Sequence, residues 1–318
     1  MGYPSVYAMG RLIVDLYANE IGAPLERVES FRKYLGGSAA NTAVGLARLG
    51  ADVGLISRVG SDAFGNFLLE RLADERVNVD MVARDPDFPT GLAFAALFPP
   101  DDSEVLFYRK PCADANIAME DLQEEGLRQS RLLVLACTAL AVSHGREAAL
   151  AALQLCRSAG GVNVLDIDWR PMFWSSEREA LLYYQAALRF GDVVLANEGE
   201  LKFVGGTADP GEAARRIMSY GVKQVVAKRG SEGCLYFGPE GVAQTPVYPV
   251  TVLNTLGAGD AFGAAYCFGL LQDWNVERRL QFSAAAAAIV VSRHSCSEAM
   301  PHLREVESAL HEDRRDLR

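Results

Sequence analysis

Apolar positions along the chain follow two rhythms. Val6–Val14 is apolar with little interruption, the mark of a strand covered on both faces. Ser38–Leu49 predicts a helix: Ser38 can cap it, Val44, Leu46 and Leu49 supply its apolar positions, and Gly50 can end it. Val53–Val59 reads as a strand. Asp62–Arg76, apolar at 64, 67, 68 and 72, reads as a helix. Gly91–Phe98 and Glu104–Arg109 are β-prone runs joined by Pro99-Pro100-Asp101-Asp102-Ser103, a hairpin with a turn-rich tip. The rhythms then alternate regularly. Strands Arg131–Cys137, Val162–Asp166, Asp192–Ala196 and Gln224–Ala227 are separated by helices Gly145–Ala159, Glu177–Phe190 and Pro210–Tyr220. Short strands Gly233–Phe237 and Val242–Gln244 follow, then helical stretches Ala258–Leu271, Val276–Arg293 and His302–Leu310. Such alternation implies right-handed βαβ units and an α/β fold with a mostly parallel sheet covered on both faces. Segments 16–35 and 91–110 interrupt it and are the candidates for a small β-sheet lid.

Composition narrows the function. The chain has 318 residues and no low-complexity linker, which suits one large domain over 1–318 with the lid as an appendage. The formal charge is −10, so no global basic field favours nucleic acid. An anionic small molecule would need local cations or backbone N–H groups. The 6 Cys are dispersed, without a C-x-x-C pair, and read as buried thiols of a reducing cytoplasm rather than a disulfide framework. The 4 His lie apart and form no H-E-x-x-H. Met1–Asp15 carries Arg11 and Asp15 in its apolar stretch and does not read as a signal peptide. Pro249–Leu271 is too polar and glycine-rich to span a membrane. A cytoplasmic protein is expected.

The strongest chemical signal is Asn254-Thr255-Leu256-Gly257-Ala258-Gly259-Asp260, ahead of an apolar helical run. Small residues let backbone N–H groups converge at a helix N-terminus, where the dipole suits a phosphate. An acid beside that anion hole could take the proton of an attacking hydroxyl while the hole holds the transferring phosphoryl group. The plainer alternative is that Asp260 only caps its helix. No Gly-Lys dipeptide exists, which excludes a Walker loop.

This loop resembles the second signature of the ribokinase/PfkB family of sugar kinases. Gly36-Gly37-Ser38-Ala39-Ala40-Asn41 resembles the family's first glycine motif, continued by Arg58-Val59-Gly60-Ser61-Asp62-Ala63-Phe64-Gly65. Gly10 and Asp15 are similar to the family's opening strand and substrate-binding acid. Asn197-Glu198-Gly199-Glu200 resembles its Asn-x-x-Glu motif, and Lys228-Arg229-Gly230 with Gly233 its nucleotide-side glycine turn. The resemblance runs from about residue 6 to 310. It implies a ribokinase-like three-layer fold with a lid, ATP and Mg²⁺ as cofactors, and a homodimer formed through the lid.

Carried over by position, the resemblance makes Asp260 the catalytic base and the N–H groups of Gly257, Ala258 and Gly259 the anion hole. It places Asp15, Gly37 and Asn41 on substrate hydroxyls. It places Lys228, Gly230, Gly233 and Asn197 by the nucleotide, and Asn197 with Glu200 on magnesium through water. A helix start with its cap is the plainer account of the last pair. The family's monovalent cation, K⁺, would rest on carbonyls of Asn254, Leu256, Val290 and Ser295, although Asn254 stands where relatives often carry Asp. Ala284 likewise stands where relatives often carry Asn near the adenine.

Substrate class rests on two arginines. The strand ending Asp166-Ile167-Asp168-Trp169-Arg170-Pro171 sets Arg170 at the C-terminal edge of the sheet, and the hairpin ends in Arg109. A guanidinium binds a carboxylate bidentately, so a sugar acid is expected, unless each arginine pairs with a nearby acid instead. With LDIDWRPMFW at 165–174, FPPDD at 98–102 and SRHSCSEAMP at 292–301, the chain is similar to family members acting on keto-deoxy sugar acids. The resemblance implies phosphorylation of 5-dehydro-2-deoxygluconate, with 2-keto-3-deoxygluconate as the rival. Fructokinase- or ribokinase-type activity stands behind both. A non-catalytic sugar-acid sensor would not need Asp260, and a nucleoside kinase would leave both arginines without a partner.

Overall fold

The computed structural model describes residues 2–100 and 102–316; Asp101 of the expected hairpin tip lies outside the described residues. In chain order its strands are β1 Val6–Met9, β2 Ile13–Ala18, β3 Phe31–Gly36, β4 Val53–Gly60, β5 Asn78–Asp85, β6 Leu92–Phe98 and β7 Asp102–Tyr108. There follow β8 Leu132–Ala136, β9 Val162–Asp166, β10 Val193–Asn197, β11 Gln224–Lys228, β12 Cys234–Gly238 and β13 Gly241–Thr245. Nine strands form the main sheet in the order β13-β12-β11-β10-β9-β8-β1-β4-β5, parallel from β11 through β5, with β12 and β13 antiparallel at one edge. Four strands form the second sheet, β3-β2-β6-β7.

Helices cover both faces of the main sheet because its strands are apolar on both. Helices Ser38–Leu49, Ala258–Leu271 and Val276–Val291 close one core. Helices Gly145–Ser158, Glu177–Leu188, Glu198–Gly205 and Pro210–Met218 close the other. A third apolar cluster, Tyr17, Tyr34, Ala95, Leu97 and Cys296, lies under the small sheet and ties it to the main body.

The expected strand Val6–Val14 divides in two. β1 lies in the main sheet, and β2 leaves it for the lid after the crossing at Gly10-Arg11-Leu12. Gly10 turns at φ +144°, where an added Cβ would lie 3.0 Å from that of Ala136. Hydropathy is continuous through this crossing because both sheets bury the segment. Strand β5 has no clear apolar alternation, since it is a half-exposed edge, and short helices Glu124–Gln129 and Glu198–Gly205 are likewise absent from the periodicity. Segment 16–35 supplies β3 and the end of β2, and 91–110 supplies β6 and β7, so both expected lid segments enter one sheet.

Candidate active site

A cavity of about 680 Å³ opens where the C-terminal ends of β1, β9, β10 and β11 meet the lid. Open α/β sheets bind ligands at this edge, because loops diverge there and helix N-termini point into the gap. Three helices begin at the cavity, and two of them start after a glycine. Ser38–Leu49 starts after Gly37, whose φ is +100° and whose added Cβ would lie 2.4 Å from the Arg11 carbonyl oxygen. Ala258–Leu271 starts after Gly257, at φ +84°, with no side chain capping it. The Ala258 N–H has only a long contact, 3.4 Å, to the Thr255 carbonyl. The amides of this first turn therefore face the cavity with little intramolecular competition. Asn254 braces the turn: its Oδ1 accepts from the Leu256 N–H at 2.9 Å, and its Nδ2 donates to the Ser295 carbonyl at 3.2 Å.

Asp260 stands in that first turn, and Asn41 Nδ2 donates to its Oδ2 at 2.8 Å. Burial, with Asp168 and Asp166 nearby, raises the Asp260 pKa to about 7 against the pull of Asn41 and Arg11. Asp15 on β2 is also raised to about 7, by burial, with Arg11 opposing. Asp168 moves the other way. Burial would raise it, but Arg11 and Arg170 prevail and hold it below the usual carboxylate range. Its Oδ2 accepts from Arg11 Nη2 at 2.7 Å and from Thr138 Oγ1 at 3.2 Å, and its Oδ1 from Arg170 Nε at 3.0 Å. Its backbone lies at φ +39°, a strained value that these bonds maintain. Lys228 Nζ donates to Asp166 Oδ1 at 3.0 Å and lies 3.3 Å from where a Cβ on Gly259 would sit. Burial would lower its pKa; Asp166 and Glu200 outweigh that and raise it.

Asn197 and Glu200 form a reciprocal cap. The Glu200 N–H donates to Asn197 Oδ1 at 2.9 Å, and Glu200 Oε2 accepts from the Asn197 N–H at 2.7 Å. Glu200 Oε1 accepts from the Trp169 N–H at 3.0 Å. The plainer account of this pair is thus realised, yet both residues line the cavity. Among the described residues no cluster of three His, Cys, Asp or Glu side chains could cage a metal. That suits Mg²⁺, which keeps waters and shares phosphate oxygens instead of entering an all-protein cage. Asn197 Oδ1 and both Glu200 carboxylate oxygens already accept backbone N–H groups, so a Mg²⁺ ion at this pair would be met through water.

Of the residues singled out from sequence, Asp15, Gly37, Asn41, Arg170, Asn197, Glu200, Lys228, Gly230, Gly233, Leu256, Gly257, Ala258, Gly259 and Asp260 line this one cavity, as does Ala284. Arg109 does not. It is buried, and its Nε donates to Asp114 Oδ2 at 2.7 Å while its guanidinium lies over the Phe173 ring. Five residues along the chain, Asp114 absorbs the charge expected for substrate. Asn254, Val290 and Ser295 lie behind the cavity wall. Among the charged lining residues Arg11 has no role in the sequence reading, and Asp166 and Asp168 enter it only as acids that could pair with an arginine, as Asp168 does with Arg170. The two acids stand in the LDIDWRPMFW string beside Arg170, but no spacing announces Arg11.

The pfkB family carbohydrate kinase pattern matches residues 4–303. The chain is 38% identical over 313 residues to the 5-dehydro-2-deoxygluconokinase of Geobacillus kaustophilus, covering 96% of this chain and 93% of that one. It is 26% identical to a ribokinase II from E. coli solved with ATP and Mg²⁺, with a TM-score of 0.90 over 97% of this chain and 99% of that one. A fructokinase from Vibrio cholerae solved with fructose, ADP and a potassium ion is also 26% identical, with a TM-score of 0.87 over 98% of this chain and 100% of that one.

Proposed function

The chain belongs to the pfkB family of carbohydrate kinases, and from this we propose that it transfers the γ-phosphoryl group of ATP to the 6-hydroxyl of 5-dehydro-2-deoxygluconate. ATP-dependent sugar kinase activity is common ground with its relatives; the acid substrate is the step beyond. One observation carries it: Arg170 lies in the same cavity as Asp260, so a cation and a base can address the two ends of one small molecule.

In this reading Asp260 accepts the proton of the attacking hydroxyl, and its raised pKa suits a base working near neutrality. Asn41 holds the carboxylate in place, and Asp15 accepts from a second hydroxyl. The amides of Gly257, Ala258 and Gly259 receive charge that develops on the transferring group. Lys228 lies against the same turn and offsets charge on the phosphates. Mg²⁺, held through water by Asn197 and Glu200, would supply further charge neutralisation when bound. Gly230 and Gly233, at φ +54° and +79°, turn the loop along the nucleotide side. The lid excludes water from the reaction.

Two further readings follow from particular contacts. The Asn254 amide donates to the Ser295 carbonyl, so the two loops assigned to a monovalent cation are joined by this side chain and do not depend on K⁺ to hold them together. Strand β7 exposes Leu106 and Tyr108 at 48% and 62%, which supports a homodimer through the lid, testable by light scattering. The activity test is ADP release with ATP, Mg²⁺ and a panel of 5-dehydro-2-deoxygluconate, 2-keto-3-deoxygluconate, fructose and ribose. The first acid should give the highest kcat/KM. A preference for fructose or ribose would overturn the acid reading, and a preference for 2-keto-3-deoxygluconate would move it to the rival acid.

A further inference from the structure

We propose that Arg11 is a specificity residue of this site, reading the substrate carboxylate together with Arg170; the inference rests on the sugar-acid reading above. Arg11 follows β1, at the crossing into the lid. Its side chain is 6% exposed, and it lines the cavity. Nη2 is held by Asp168 Oδ2 at 2.7 Å, while Nε is buried without a hydrogen-bond partner. The faces of Phe107 and Phe173, 5.6 and 5.9 Å from the guanidinium carbon, fix its plane. An orphaned donor in a buried site is costly. A ligand oxygen delivered into the cavity is the partner this geometry prepares.

The sharing of hydrogen-bond acceptors identifies that oxygen. Arg109 is matched one to one by Asp114. Arg11 and Arg170, by contrast, share a single carboxylate, Asp168, through its two different oxygens. Two guanidiniums hydrogen-bonded to one acid leave donors of both forks for one anionic group on the substrate, while Asp15, Asp166 and Asp260 act on them only through space. Asp168 acts as the clamp that sets both forks, and its depressed pKa keeps it charged throughout. On the helix whose Ala40 N–H donates to the Arg11 carbonyl, Asn41 Oδ1 is also buried without a partner, an acceptor prepared for a substrate hydroxyl. The two orphans therefore call for opposite chemistry, an acceptor oxygen at Arg11 and a hydroxyl donor at Asn41.

The experiment compares 5-dehydro-2-deoxygluconate with its neutral 1-carboxamide, using wild type, Arg11→Gln and Arg11→Lys. Wild type should prefer the acid. Arg11→Gln should lower kcat/KM on the acid by about 10–10² and change the carboxamide little. Arg11→Lys keeps the charge and a bond to Asp168 but lacks the Nε donor. It should fold as wild type, by its melting temperature, and still lose about tenfold on the acid, because a point charge does not replace the fork. Titration calorimetry with the acid alone, without ATP, should show the same loss in affinity. Equal losses on both substrates, or an Arg11→Lys variant indistinguishable from wild type on the acid, would overturn the assignment. A wild type that shows no preference for the acid would instead overturn the sugar-acid reading itself.

Discussion

Replacing Asp260 with Asn separates the two things its burial does. The cavity raises this carboxyl from 3.8 to about 7, first by desolvation and then by the negative Asp168 and Asp166. As a base it works only when ionised, so kcat/KM should rise with pH up to about 7 and level above it. One unit below the midpoint about a tenth of the enzyme carries the base, a tenfold loss. Asp15 titrates in the same range, so the limb on the acid side should have a slope between one and two. Asp260→Asn should lower kcat by roughly 10²–10⁴ at pH 8 and remove one proton from that limb. The same change should stabilise the fold. A carboxyl whose pKa is raised on folding binds its proton more tightly in the native state, so stability falls as pH rises from 3.8 to about 7. At ~1.4 kcal/mol per unit the full cost is about 4 kcal/mol above pH 7, and water entering the cavity reduces it. Asn carries no charge and its side-chain oxygen can still accept from Asn41. Each kcal/mol recovered raises Tm by about 2–4 °C. The gain should appear at pH 8 and vanish near pH 4, read by scanning calorimetry. A variant that turns over within a few-fold of wild type, or that gains as much Tm at pH 4 as at pH 8, would refute this account.

Other outcomes follow from single contacts. Arg109→Gln should leave the buried Asp114 without its cation, lower Tm measurably, and reduce kcat/KM on acid and neutral substrates alike; a loss confined to the acid would return Arg109 to the substrate site. Gly37→Ala must carry a side chain at φ +100° and 2.4 Å from a backbone oxygen, so KM for the sugar should rise sharply, while ATP binding measured alone should persist. Replacing KCl by choline chloride should leave kcat unchanged, because the Asn254 side chain already joins the two flanking loops, whereas Asn254→Asp loses the donor to Ser295 and should become cation-dependent. Hydrogen exchange in β6 and β7 should slow when sugar and nucleotide bind together; unchanged exchange at saturation would rule out a closing lid.

Local chemistry was legible along the chain wherever one short segment carries a whole device. The turn before Asp260, the glycine start of Ser38–Leu49 and the βαβ rhythm each need only neighbouring residues, so their motifs announce them. Asp62, in the continuation of the first glycine motif, illustrates the same rule: its side chain caps its helix at the Gly65 N–H, 2.7 Å away, and also takes the Thr90 N–H. What only the tertiary structure decided was which charges cancel. Arg109 and Arg170 look alike in the sequence, each near acids, but Asp114 folds onto the first while Asp168 is divided between the second and Arg11, 157 positions from Asp168. Arg11 acquires its place because Gly10 lets the chain leave one sheet for another, and hydropathy does not mark that crossing since both sheets bury it. Secondary structure is fixed by residues within a turn or two of each other. Net charge at a cavity wall depends on contacts between segments far apart in sequence, and those exist only once the strands have been ordered.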